Sequence, residues 1–360
     1  MFFQPRIGLL FCSLLLLSMT SYSQQAEPVA STQGSRISFD VVVTPQSGGP
    51  VQGLQQQDFT VLDNKAVRPI ASFKPVAGPD APVEVILVID AVNAEYQTVA
   101  YAKDKIDKFL MADGGELAHP LTLAVVTDQG TQIQQGSSRD GKATKPALDD
   151  YTIRLRTVRR SAGFYGAEER LDISLQALNS LIVREGANPG RKLLIWVSPG
   201  WPLISGPGVQ LTSKQEDRLF RQIASLSTQL REARITLYSV DPIGSNESIF
   251  RTSYYKEFLN GVSKPGQTEP GDLGLQVLAT QTGGLAMTSN NDIAGMLQRA
   301  VNDSKAYYEI SFDAAPGEQV DEYHKVEVQV NKAGLTARTR TGYYAEPADS
   351  GERTALPGAR

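Results

Sequence analysis

The chain predicts an α/β protein: a doubly wound, mostly parallel sheet flanked by N- and C-terminal β segments that form one β-sandwich. Three observations lead there. Between residues 82 and 305, apolar β-branched runs alternate with amphipathic helical stretches, the pattern of βα units with helices on both faces of a sheet. On either side, in 35–76 and 306–346, the hydrophobic period is two, and neither flank has strands enough to stand alone. The chain of 360 residues is 41% hydrophobic and 21% charged, which supplies a core and argues against disorder.

The elements follow in order. Met1–Ser23 reads as a secretory signal peptide: Arg6, then an apolar run from Ile7 to Met19, then small residues at Ser21 and Ser23. The alternative, an N-terminal anchor, has a run too short for a membrane span. Residues 24–34 read as a flexible linker. Ile37, Phe39, Val41 and Val43 alternate with polar residues as a half-buried strand. Phe59–Asp63 and the stretch through Ile70 and Phe73 read as two more strands around a turn at Asp63-Asn-Lys65. Val83–Ile89 is apolar almost throughout, as a central strand buried on both faces must be. Val99, Ala102, Ile106 and Phe109 recur at helical spacing. Leu121–Val126 is a second buried strand, and Thr131–Gln135 a polar edge strand. A helix through Leu171–Ile182 precedes the central strand Leu193–Val197. Ser213 with Glu216 predicts a capping box opening a helix through Leu230. Ile235–Val240 is the next strand. A short helix from Leu275 stops at Gly283-Gly284; the strand Leu285–Met287 and a last helix from Ile293 follow. Tyr308–Phe312, Val326–Val330 and Leu335–Thr339 are period-two strands, and 347–360 is a polar tail. If the flanks make one sandwich, Val41 and Val328 share a core.

Composition excludes several chemistries. Two histidines and one cysteine leave little for thiol or histidine-based sites, and Cys12 lies in the leader run. A cysteine-free exported chain does not rely on disulfides. A net charge of −4 lacks the basic footprint of a nucleic-acid binder. Arg154, Arg156, Arg159 and Arg160 form a local basic cluster that reads as a solvated edge. There is no Gly-x-Ser-x-Gly, no phosphate-cradling glycine loop and no isolated carboxylate pair. His119 and His324 read as structural or exposed. The chain is expected not to be an enzyme.

In an open α/β sheet, ligands bind beyond the C-terminal ends of the strands, here the loops after Ile89, Val197 and Val240. The residues around them resemble a known family. Val51-Gln-Gly-Leu54 with Asp58–Asp63, Val85–Asp90, Leu278–Gly284 with the helix ending near Tyr307-Tyr308, and Arg338–Tyr344 together resemble a von Willebrand factor type A (vWA) domain. The closest resemblance is to the VWFA-related domain of acidobacterial secreted proteins, and it covers nearly all of residues 36–345. It implies a divalent cation held by Asp-x-Ser-x-Ser, a threonine from a second loop and an aspartate after the fourth strand, with an open position for a partner carboxylate. Asp90 fits the first position. Val92 and Ala94 occupy the serine positions, and Ser198-Pro-Gly200 stands where an aspartate is expected. The second loop, near Ser161–Gly166, has no threonine.

The site therefore reads as degenerate. No cofactor is expected. Mg²⁺ or another divalent cation would need Asn93, Glu95 and Asp128 beside Asp90, and Asp128 also reads as a turn residue. What remains is a partner-binding face of Asp90, Asn93, Tyr165, Ser198, Gly200, Trp201, Tyr254 and Tyr255, with Phe164, Phe250 and Phe258 nearby. The segment Asp241–Gly271 is long enough to be functional. The opposing reading is that these aromatics pack loops onto the sheet. The expected function is an exported (periplasmic or extracellular) binding module for an unidentified protein partner. The alternatives are an envelope assembly component acting through its sandwich, and residual metal-dependent binding at Asp90.

Overall fold

The computed structural model describes residues 36–78, 81–154, 163–202, 204, 210–243, 253–288 and 291–347. The leader, the linker, most of the polar tail, Phe250 and Arg156, Arg159 and Arg160 lie outside the described residues.

The chain opens with β1 (Arg36–Pro45), β2 (Phe59–Asp63), β3 (Ala66–Arg68) and β4 (Ile70–Ala77). It then runs β5 (Val83–Asp90), α1 (Tyr96–Leu110), β6 (Glu116–Thr127), β7 (Gly130–Ile133), β8 (Ser138–Asp140), α2 (Gly141–Arg154), α3 (Gly163–Gly186) and β9 (Arg191–Val197). After these come α4 (Ser213–Glu232), β10 (Ile235–Val240), α5 (Leu275–Gln281), β11 (Ala286–Met287) and α6 (Ile293–Asn302). The chain returns to strands with β12 (Ala306–Asp313), β13 (Glu322–Val330), β14 (Leu335–Arg338) and β15 (Gly342–Ala345).

The central sheet has the order β11-β10-β9-β5-β6-β7, with β8 also on β6. The first four neighbour pairs are parallel; β7 and β8 join antiparallel at the edge. This is the α/β class the sequence predicts. Strand order reverses between β5 and β9, so the crevice at a topological switch point opens above their C-terminal ends. One face of the sheet packs on α1 and α6 through Leu87, Ile106 and Leu297, the other on α3 and α4 through Val88, Leu178 and Ile223.

The flanks alternate between two antiparallel sheets, β14-β1-β12-β4 and β15-β13-β2-β3, so each sheet draws strands from both ends of the chain. Phe39, Val41, Ile310 and Phe312 of one face Val61, Val326 and Tyr343 of the other in a single core, and Val328 packs against it. Phe59 meets Tyr308 across the layers at 5.0 Å between ring centroids. The α/β unit is an insertion between β4 and β12.

Buried and half-buried charges join the sandwich strands to the α/β unit. Arg234 Nη2 lies 2.7 Å from Asp40 Oδ1 on β1 and 2.9 Å from Glu309 Oε1 on β12. Burial pulls its pKa down, but the two carboxylates outweigh that and leave it raised. Arg191, 2% exposed, stands with Nε 3.6 Å from Asp40, donates from Nη1 to the Asp303 carbonyl, and stacks over Tyr307 at 4.7 Å. Arg338 of β14 binds the Asp303 carboxylate, which also accepts from Tyr238 Oη at 2.7 Å.

Three local expectations need correction. The capping box of α4 sits one residue earlier: Gln215 Oε1 accepts from the Thr212 backbone N–H at 2.9 Å, and Thr212 takes the extended cap conformation. Gly163–Gly166 are not in a loop but form the first turn of α3, which begins eight residues before Leu171. Helix α2 carries no clear signal in the sequence, because it contains Pro146, a residue that disfavours a helix interior, and shows little apolar periodicity.

Candidate functional site

The apolar run of β5 ends at Asp90, which is 1% exposed. A carboxylate buried at a strand end must find donors or be expelled. Asp90 finds five. Its Oδ1 accepts from the backbone N–H groups of Val92 (3.0 Å) and Asn93 (2.9 Å), folding the following turn back onto the strand. Its Oδ2 accepts from Asn93 Nδ2 (2.9 Å), Trp196 Nε1 (3.1 Å) and Ser198 Oγ (2.9 Å). The last two come from β9 and its end, across the switch point. A carboxylate offers about four lone-pair sites, so protein donors saturate this one.

The network continues outward. Asn93 Nδ2 also donates to Ser174 Oγ of α3 at 2.8 Å, and its bond to a carboxylate fixes the amide's orientation. Ser198 Oγ accepts from the Gly200 N–H at 3.2 Å. Gly200 has φ +114°, and a Cβ there would meet Gln276 Nε2 at 2.6 Å, so glycine is required. Tyr254 Oη donates to Gln276 Oε1 at 3.2 Å.

Above this floor lies a cleft of about 520 Å³, lined among others by Asn93, Glu95, Arg170, Gly200, Trp201 and Tyr254. Two wall atoms are buried without a hydrogen-bond partner: the acceptor Asn93 Oδ1 and the donor Trp201 Nε1. At the start of the helix that carries Arg170 and Ser174, Phe164 and Tyr165 form an edge-to-face pair at 5.9 Å. Tyr165 is 83% exposed.

The structure therefore divides the predicted face. Asn93, Gly200, Trp201 and Tyr254 line the cleft, Tyr255 is half-buried beside Tyr254, and Tyr165 stands in solvent. Asp90 and Ser198 are its buried floor rather than a contact surface. Trp201 is corrected from a surface aromatic to a core residue: at 3% exposure it packs edge-to-face on Trp196 at 5.1 Å, because the loop after β9 folds back over the sheet. Among the described residues no group of three or more His, Cys, Asp or Glu is placed to hold a metal ion, and Asp128 lies at the β6–β7 turn. Phe164, Arg170 and Ser174 are site residues that the sequence reading did not place on one helix.

The two histidines sit elsewhere. His119, 4% exposed, has Nε2 2.6 Å from Ser304 Oγ. Ser304 gives its proton to the Val301 carbonyl, so the imidazole Nε2–H donates, and Nδ1 is left bare with no partner. This is a neutral imidazole with no carboxylate behind it. Burial first, then the charges of Arg139 and Arg191, hold its pKa down at about 4. His324 Nδ1 pairs with Asp63 at 2.8 Å inside the sandwich, with Tyr343 Oη rather than a serine nearby. Neither arrangement makes a triad.

No protein-family model matches the chain, and no curated protein matches it. Solved structures with a related backbone include the VWA domain of SpRpn10 (10% identity, TM-score 0.32, 62% of this chain and 98% of that one). Others are a human COPII-coat protein (9%, 0.38, 74% and 44%) and the pilus adhesin SpaC from Lactobacillus rhamnosus GG (9%, 0.35, 80% and 48%). The chain spans somewhat under half the length of the coat protein and of the adhesin. At these TM-scores the likeness carries no argument about activity or partner.

Proposed function

We propose that this chain is an exported, non-enzymatic protein-binding module of vWA type that engages its partner above the β5–β9 switch point without a bridging cation. The observation that carries this reading is the exposed Phe164–Tyr165 pair on the first turn of α3, the helix whose Arg170 lines the cleft at the strand ends. Exposed aromatics are what protein interfaces favour. Glu95 and Arg170 give the cleft both signs of charge, as a polypeptide partner can use. The saturation of Asp90 removes the usual reason for a metal in such a site.

Cross-linking the protein in its own envelope, followed by mass spectrometry, tests the reading. Links at α3's first turn and the loops after β9 and β10 support it. The double variant Phe164→Ala/Tyr165→Ala should keep its unfolding midpoint and lose those links. Links confined to the sandwich strands would instead favour an assembly component.

A further inference from the structure

A second cavity, of about 370 Å³, lies where the sandwich meets the α/β unit, on the far side of the sheet's strands from the cleft. Its lining includes four arginines (Arg36, Arg231, Arg234, Arg340) and three carboxylates (Asp40, Glu232, Glu309). The carboxylates each have an arginine at ion-pair distance: Asp40 and Glu309 have Arg234, and Glu232 has Arg231 Nη2 at 3.2 Å. Arg36 is paired with Asp313 at 2.9 Å.

Arg340 is the exception. It is 6% exposed, and no carboxylate among the described residues lies within 4.0 Å of it. Its one hydrogen bond, Nη1 to the Gly342 carbonyl at 3.5 Å, is at the limit of what counts as a bond. Nearby, Arg231 Nε is buried with no partner at all. Burial and the Arg231 charge, only partly offset by Asp40, push the Arg340 pKa down to about 9, so at neutral pH the fold holds a buried cation with no carboxylate in direct contact. Such a charge is costly to bury, and a guanidinium fork is shaped for an oxyanion.

We infer that this cavity is a binding site for a small oxyanion, of carboxylate or phosphate type, held by the Arg340 guanidinium with the charge of Arg231 beside it. Phe39 and Ile310 also line the cavity, whose volume leaves room for ligand atoms beyond the oxyanion itself. The site is independent of the partner face.

Isothermal calorimetry on the full chain with inorganic phosphate in one arm and succinate in the other tests this. Saturable one-to-one binding in either arm is expected, and the arm that binds tells phosphate from carboxylate chemistry. Arg340→Met should abolish it, and Arg231→Met should weaken it at least about tenfold. Without ligand, Arg340→Met should unfold at the same or a higher temperature, because it removes an incompletely compensated buried charge. A residue serving only structure would lower that temperature. Absence of binding in both arms up to ~10 mM, a concentration that reveals even millimolar affinity, overturns the proposal. So does binding undiminished in Arg231→Met, which keeps the test decisive if Arg340→Met does not fold.

Discussion

Replacing Asp90 by alanine removes the acceptor of five donors at once. Not all lose equally. Ser198 can turn its hydroxyl toward the Gly200 carbonyl, 3.5 Å away, and Asn93 keeps its bond to Ser174. Two donors have no escape: the Val92 N–H, on a residue 1% exposed, and Trp196 Nε1, on a residue 0% exposed. Each buried donor left unpaired costs about 1–3 kcal/mol, while removing the carboxylate recovers some desolvation. The expected loss is about 3 kcal/mol, a large part of the ~5–15 kcal/mol that holds a typical domain. Urea unfolding followed by circular dichroism measures it, since Trp196 is itself a fluorophore in the perturbed site. Trp196→Phe, which deletes a donor and leaves four, should cost only about 1 kcal/mol from this bond. The double variant should then show a coupling of about 1–2 kcal/mol. A loss below about 0.5 kcal/mol in Asp90→Ala, the range of an indifferent surface change, would refute the reasoning.

Other outcomes follow from the same structure. His119 has a folded pKa of about 4 against an unfolded value near 6.5, so the unfolded chain binds more protons between them. Its stabilisation is complete above pH 6.5 and lost as pH falls toward 4, up to about 3 kcal/mol. Asp272 runs the other way: burial raises it to about 6, so its contribution is present below about 3.8 and lost as pH rises through 6. The two offset each other in the parent protein; unfolding curves of Asp272→Asn should steepen the acid loss, and those of His119→Phe should flatten or reverse it. Asp40→Ala strips Arg191 and Arg234 of their shared carboxylate and should cost about 3–5 kcal/mol in chemical denaturation. Gly200→Ala forces a side chain into φ +114° against Gln276 and should cost about 1–3 kcal/mol by thermal unfolding, with the fold retained.

The sequence was most informative where partners are near neighbours. Val83–Ile89 could only be a buried strand, and the alternation at Ile37–Val43 named the sandwich face that Val328 later joins. The site was legible in its first residue alone. Asp90 at a strand end marked the place, but Trp196 and Ser198, 106 and 108 residues away, decide what the carboxylate does. Trp201 in a loop after a strand has the same local pattern whether it faces solvent or Trp196; only the path of the loop distinguishes them. Likewise Arg340 reads as one polar residue in a period-two strand segment. Its isolation is a property of carboxylates from β1, α4 and β12 that pair elsewhere.

The central claim is that the strand-end carboxylate is spent on protein donors, leaving recognition to the cleft and the aromatic pair. Calorimetric titration of the protein with Mg²⁺, Mn²⁺ and Ca²⁺ addresses it most directly. The account predicts no saturable binding that depends on Asp90. Micromolar binding of any of these ions, lost in Asp90→Ala, would contradict it.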